Sequence, residues 1–111
     1  MITIRWTAEA RARLDDIEAH IALDSEAAAK GMIARLLARP DQLTTAPASG
    51  REVPEYQRRD IRELLERPYR IIYGFAPERA VILTVMHYRQ VLPRKADMKE
   101  LLRLAMQDER P

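Results

Sequence analysis

Four side chains in the second half of the chain have the types needed to act on an anionic substrate or partner: Arg62, Arg70, His87 and Arg89. Cleaving RNA between nucleotides takes a base for the 2′-hydroxyl, a cation at the phosphate and an acid for the leaving oxygen. Arg70, His87 and Arg89 could fill those roles if the fold brings them together. The alternative is binding without turnover, with all four forming one polar surface near a sheet end. Plainer roles compete with both. Arg70 sits in a strand-like run and would pair with a neighbouring carboxylate such as Glu63. His87-Tyr88-Arg89 reads as a polar strand end.

Other chemistries find little support. The chain has no cysteine, which removes disulfides, thiol catalysis and cysteine-based zinc sites. His20 and His87 are the two histidines, lone and far apart in sequence, and they do not make a ligand set, so no metal is expected. His20 reads as a surface helix residue. Ser25 and Ser49 sit at cap and turn positions with no base nearby in sequence.

The elements that must position these residues centre on residues 61–89. Ile61-Arg62-Glu63-Leu64-Leu65 leads into Tyr69 to Phe75 and Ala80 to Arg89, two segments dense in β-branched and aromatic residues, with Pro68, Gly74 and Pro77 as punctuation. Their links are too short for crossover helices, so the three form an antiparallel meander. In the middle strand Tyr69, Ile71 and Tyr73 share one face, and Arg70, Ile72 and Gly74 the other. The run Val81–Val85 is apolar on both faces and is expected to be the central, most covered strand.

Upstream, Thr3 to Trp6 alternates as a short strand, with Ile2, Ile4 and Trp6 on one face. Thr7 caps a helix with the stripe Ala10, Leu14, Ile17 and Ile21. Ser25 caps a second helix carrying Ala28, Ala29, Met32, Ile33, Leu36 and Leu37. Small residues allow the two helices to pack closely as a hairpin on one sheet face. Pro40 either ends the second helix near Arg39 or kinks it, with resumption to about Leu43. Thr44 to Gln57 is the longest irregular connection. Lys95 to Gln107 is a C-terminal amphipathic helix, and 108–111 a frayed tail. The expected core is Ile4, Trp6, Leu14, Ile17, Ile21, Met32, Ile33, Leu36, Leu64, Ile71, Tyr73, Ile82 and Val85.

The ordered set Ile4-Arg5-Trp6-Thr7 with Ala10, Pro47 to Val53, Arg62-Glu63-Leu64, Pro68 to Tyr73, Val81-Ile82-Leu83 and His87-Tyr88-Arg89 resembles the ParE/RelE superfamily of toxins from type II toxin–antitoxin pairs. The resemblance covers about residues 2 to 92, and Pro40 departs from it. It implies an α+β two-layer fold of N-terminal strand, helical hairpin, three-stranded antiparallel meander and C-terminal helix, as a single domain over 1–111. The RelE-like branch cuts ribosome-bound mRNA with lysines and arginines of the sheet. Here Glu63 would repel the phosphate, Lys95 is the one lysine in 51–95, and Val91-Leu92-Pro93 stand where that branch places a tyrosine. The pattern is closer to the ParE branch. That branch implies poisoning of DNA gyrase and neutralisation by a cognate antitoxin. The surface for target or partner is expected at Arg62, Arg70, His87 and Arg89, because the meander can bring them near one sheet end. A ribosome-dependent RNase is the alternative, and a non-toxic binding module of the same fold the second. No cofactor and no sequence-specific nucleic-acid binding are expected.

Charge permits contact with an acidic partner or nucleic acid, and taken alone it reads most simply as a solvated mixed-charge surface. Residues 1–50 carry six Lys/Arg against seven Asp/Glu, residues 51–95 ten against six, and residues 96–111 three against four. The basic bias therefore sits on the sheet half, where an acidic partner segment would be favoured. Antitoxins of this kind typically fold a segment on binding. The helical hairpin, with a groove toward the sheet, and the C-terminal helix are the two receptive features. No apolar run spans a bilayer and no signal pattern begins the chain, so a cytoplasmic location without membrane contact is expected.

Overall fold

The computed structural model describes residues 2–107; the expected tail lies outside them. The chain runs β1 (Thr3–Trp6), α1 (Ala8–Ala22), α2 (Glu26–Ala38), a 3₁₀ segment (Arg39–Thr44), β2 (Arg51–Glu52), β3 (Ile61–Glu66), β4 (Tyr69–Ala76), β5 (Arg79–His87) and α3 (Lys95–Gln107). This is the α+β arrangement expected, with the meander β3–β4–β5 antiparallel throughout.

Both helical caps are in place. Thr7 Oγ1 accepts from the Ala10 amide at 3.0 Å, and Ser25 Oγ from the Ala28 amide at 3.1 Å, each satisfying a donor left open by the first turn. Pro40 resolves as a compromise. The α-helix ends at Ala38, and the chain continues as 3₁₀ turn through Thr44 with the proline in its first turn.

Two sheet features were not legible. The order is β1-β5-β4-β3-β2, so β4 is central and not β5. The long excursion through α1 and α2 lets β1 return parallel to β5, with Ile4 beside Ala80 and Trp6 beside Ile82. Within the connection expected to be irregular, Arg51 and Glu52 pair with Glu63 and Arg62 as a two-residue edge strand. β5 is nonetheless covered on both faces, being buried from Ala80 through Met86.

The hairpin packs on one face over Leu14, Met32, Leu36, Leu64, Ile71, Tyr73, Ile82 and Val85, with Ile4, Trp6, Ile17, Ile21 and Ile33 partly buried against them. Every expected core residue is in this cluster or packed against it. From the α2 stripe, Ala28 and Leu37 instead face solvent. On the opposite face α3 adds partial cover, and Met98, Leu102 and Ala105 meet Val53, Tyr56, Ile72, Val81 and Leu83. Arg5 and Arg79 hold the end of α3, donating to the carbonyls of Ala105 and Met106. Cations at those carbonyls also suit the negative end of the helix dipole.

Candidate functional site

Arg70 points to the α3 face of the sheet. Opposite Leu65 in the ladder, it is the diagonal neighbour of Glu63, which faces Ile72. Its Nε lies 2.6 Å from Glu63 Oε1, and its terminal nitrogens lie 2.9 and 3.0 Å from the two Glu55 oxygens. Arg51, brought alongside by β2, donates to Glu63 Oε2 at 2.6 Å. Arg51, Glu63, Arg70 and Glu55 thus close a quartet of alternating charge around a carboxylate that is 1 % exposed. The fork of hydrogen bonds from Arg70 holds the Glu55 carboxyl below its usual range, and the same bonds raise the Arg70 guanidinium. The quartet fastens residues 51–56 over the sheet. A guanidinium committed to two carboxylates is not presented to a phosphate.

Arg62 lies on the other face, opposite Tyr73. Its Nε donates to the Arg59 carbonyl at 2.9 Å, and one terminal nitrogen donates to the carbonyls of Ala48 and Gly50 at 3.2 and 3.1 Å. The guanidinium stands 5.6 Å from the Phe75 ring centre. The same loop is fixed by Tyr73, whose hydroxyl donates to the Pro47 carbonyl at 2.8 Å and accepts from the Gly50 amide at 2.9 Å. Arg62 is accordingly an anchor for residues 48–50.

His87 ends β5 opposite Tyr69, with the two rings edge to face at 5.5 Å. Its Nδ1 accepts from the Arg89 amide at 3.0 Å, while Gln90 Oε1 accepts from the His87 amide at 2.8 Å. A neutral ring that accepts at Nδ1 carries its proton on Nε2. Beside His87 is a cleft of about 280 Å³ between α1 and the sheet end, whose lining includes Arg13, Ile17, His20, Tyr69, Val85 and Gln90. Asp16 also reaches the cleft. Both histidines of the chain therefore meet in one place. Sequence spacing had left His20 apart, although Ile17, one turn earlier, already marked the sheet-facing side of α1.

The four nominated residues do not form one surface. Arg70 is separated from the others by the sheet itself. Arg62 and His87 share a face but lie across from Tyr73 and Tyr69, about 13 Å apart along β4 at about 3.3 Å per residue. His87 and Arg89 stay together at the β5 end, so the trio required for RNA cleavage is not assembled.

A second cavity, about 520 Å³, opens between α3 and the far ends of β3 and β4, with Phe75, Leu102 and Met106 as its apolar wall. Two ion pairs, Arg58–Asp60 and Arg103–Glu100, stand at its rim. Among the described residues no group of three or more His, Cys, Asp or Glu is placed to hold a metal ion. No helix among them is long and apolar enough to cross a membrane.

Comparison with known proteins agrees with this architecture. Residues 4–92 match the model of the ParE toxin of type II toxin–antitoxin systems, parDE. The chain is 41 % identical over 90 residues to the Sinorhizobium fredii (strain NBRC 101917 / NGR234) protein named "Putative toxin Y4kP", covering 81 % of this chain and 92 % of that one. A chain of the chromosomal ParDE toxin–antitoxin system from P. aeruginosa superposes with a TM-score of 0.67 over 78 % of this chain and 96 % of its own, at 24 % identity, a likeness of fold. The match from β1 to the end of β5, together with the close relative, places the chain in the ParE toxin family of type II toxin–antitoxin systems.

Proposed function

We propose that this ParE-family toxin arrests growth by binding and poisoning DNA gyrase, and that a cognate antitoxin neutralises it by direct binding. The observation that carries the choice of a binding mode over RNA cleavage is the state of Arg70. The one arginine on the central strand is closed into ion pairs with Glu63 and Glu55, on the face away from His87. A ribosome-dependent nuclease would need that cation free and near its base. The family of the chain supports the toxin role and the antitoxin partner. The basic balance of residues 51–95 favours an acidic partner.

The test is expression of the chain alone and together with the product of the neighbouring open reading frame. Growth arrest on expression alone, relieved by co-expression with a co-purifying partner, is the expected result. Supercoiling and cleavage-complex assays on gyrase, run beside an assay of ribosome-bound mRNA, then separate the two toxin mechanisms. A chain that leaves growth, gyrase and mRNA untouched would be a non-toxic module, and the proposal would fail.

A further inference from the structure

The end of the molecule around His87 gathers features that no fold requirement explains. The floor of the α1–sheet cleft is apolar, made by Ile17, Tyr69 and Val85. Within three residues of its lining in sequence come three of the large hydrophobic side chains that remain in solvent. Leu23, the residue just past the end of α1 and three beyond His20, is 83 % exposed, Val91, next to Gln90, is 92 % exposed, and Tyr88, next to His87, is 38 % exposed. Leaving such side chains in water is costly unless something covers them.

The same end carries exposed cations. The Tyr88 amide donates to the Pro68 carbonyl at 2.9 Å, which sets Arg89 next to the β3–β4 turn and Arg67. Both arginines are exposed, and neither side chain makes an ion pair among the described residues. His87 adds a donor, because its Nδ1 is occupied by the Arg89 amide and its Nε2 makes no hydrogen bond among the described residues. Against these stand the carboxylates of Asp16, in the cleft, and Asp24, beside Leu23. A phosphate backbone would meet those two acids and would gain nothing from Leu23 and Val91. A polypeptide with apolar residues and a carboxylate satisfies both halves of the surface.

We propose that this cleft and its rim are where the antitoxin docks an acidic, apolar segment. One apolar side chain of that segment fills the space over Ile17, Tyr69 and Val85, its neighbours cover Leu23 and Val91, and a carboxylate is taken by Arg67, Arg89 and the His87 Nε2 proton. The inference rests on the antitoxin reading above and names the surface that reading requires.

The experiment uses the full chain and the purified product of the neighbouring open reading frame, with affinity measured by calorimetry at two salt concentrations. The Arg67→Glu/Arg89→Glu double variant and Val91→Asp change only exposed side chains, and a thermal melt checks that each folds. Lys99→Glu, at the α3 cavity on the opposite sheet face, is the control. Expected are losses of about tenfold or more for the first two, a wild-type affinity that falls with salt, and near wild-type binding for the control. Folded variants that bind within about twofold of wild type would overturn the proposal, as would a loss confined to Lys99→Glu. Variants that keep the antitoxin but lose the effect on gyrase would assign the surface to the target and overturn it equally. If the wild-type chain forms no complex with its neighbour, the antitoxin reading itself fails, and that outcome is distinct from failure of the site.

Discussion

Glu63 and Arg70 are diagonal neighbours on adjacent strands, and the Arg70 Nε sits 2.6 Å from a Glu63 carboxylate whose side chain has no solvent exposure. A carboxylate so buried is tolerable only because Arg70 and Arg51 both reach it. Removing one partner strands charge in the interior. Arg70→Ala is expected to destabilise the fold by about 3 kcal/mol, the low end for a broken buried pair, since Arg51 remains. Replacing both members with apolar residues, Glu63→Leu with Arg70→Met, is expected to cost less than Arg70→Ala alone. Urea unfolding of the two variants beside the unsubstituted chain checks the order.

Gly50 and Gly74 separate two kinds of close packing. A Cβ on Gly50 would stand 2.6 Å from the Tyr73 hydroxyl and 2.7 Å from the Glu63 carbonyl, groups fixed by the ladder and by the Pro47 bond. A Cβ on Gly74 would collide with Leu102 Cδ1, the movable end of a side chain on α3. Gly50→Ala is therefore expected to cost about 2–3 kcal/mol and Gly74→Ala less, with Leu102→Ala in the same chain relieving part of the second but none of the first. Thermal melts of the single and double variants provide the measurement.

The alkaline end of the stability profile against pH carries contributions from Tyr69 and Tyr73, whose phenols burial raises, and from Tyr56. Burial, and then the nearby Glu55 charge, push its phenol up to about 12 from 10.0, and the neutral hydroxyl donates to the Pro93 carbonyl at 2.6 Å. A raised folded-state value means that the contribution is complete below pH 10 and is lost as pH rises toward about 12. Tyr56→Phe should be less stable at neutral pH, and its stability should fall less steeply across that window. Glu55 works in the opposite sense. Its carboxyl is lowered by the Arg70 hydrogen bonds, so its contribution is present above pH 4.5 and declines as pH falls below that value. Glu55→Gln should flatten the acid limb. Denaturant midpoints measured from pH 3 to 12 test both.

The hairpin side of the fold was legible because its signals are local. Ala10, Leu14, Ile17 and Ile21 repeat at helical spacing, and Thr7 and Ser25 announce the caps within three residues. The second face was not. Val53 and Tyr56 lie in a turn-rich segment with no periodicity, and the pairings that carry it over the sheet, Arg51 with Glu63, Glu52 with Arg62 and Glu55 with Arg70, join residues distant in sequence. The parallel return of β1 to β5 joins residues more than seventy apart, and nothing in either strand alone records it. The candidate site divided along the same line. The Glu63–Arg70 pair follows from strand alternation, and it is the reading that holds. The convergence of all four polar residues required Arg62 and Arg70 to share a face, which the period of two forbids given their places opposite Tyr73 and Leu65. The meeting of His20 and His87 depends on how α1 crosses the sheet, a tertiary quantity.

Gyrase poisoning is tested most directly by incubating the purified chain with gyrase and supercoiled plasmid and quantifying linear DNA after the protein is denatured. The account predicts that linear, gyrase-linked DNA accumulates with toxin concentration, disappears when the antitoxin is added first, and is accompanied by no cutting of ribosome-bound mRNA in a parallel reaction. Site-specific mRNA cuts that His87→Ala or Arg89→Ala abolishes, with gyrase unaffected, would contradict it.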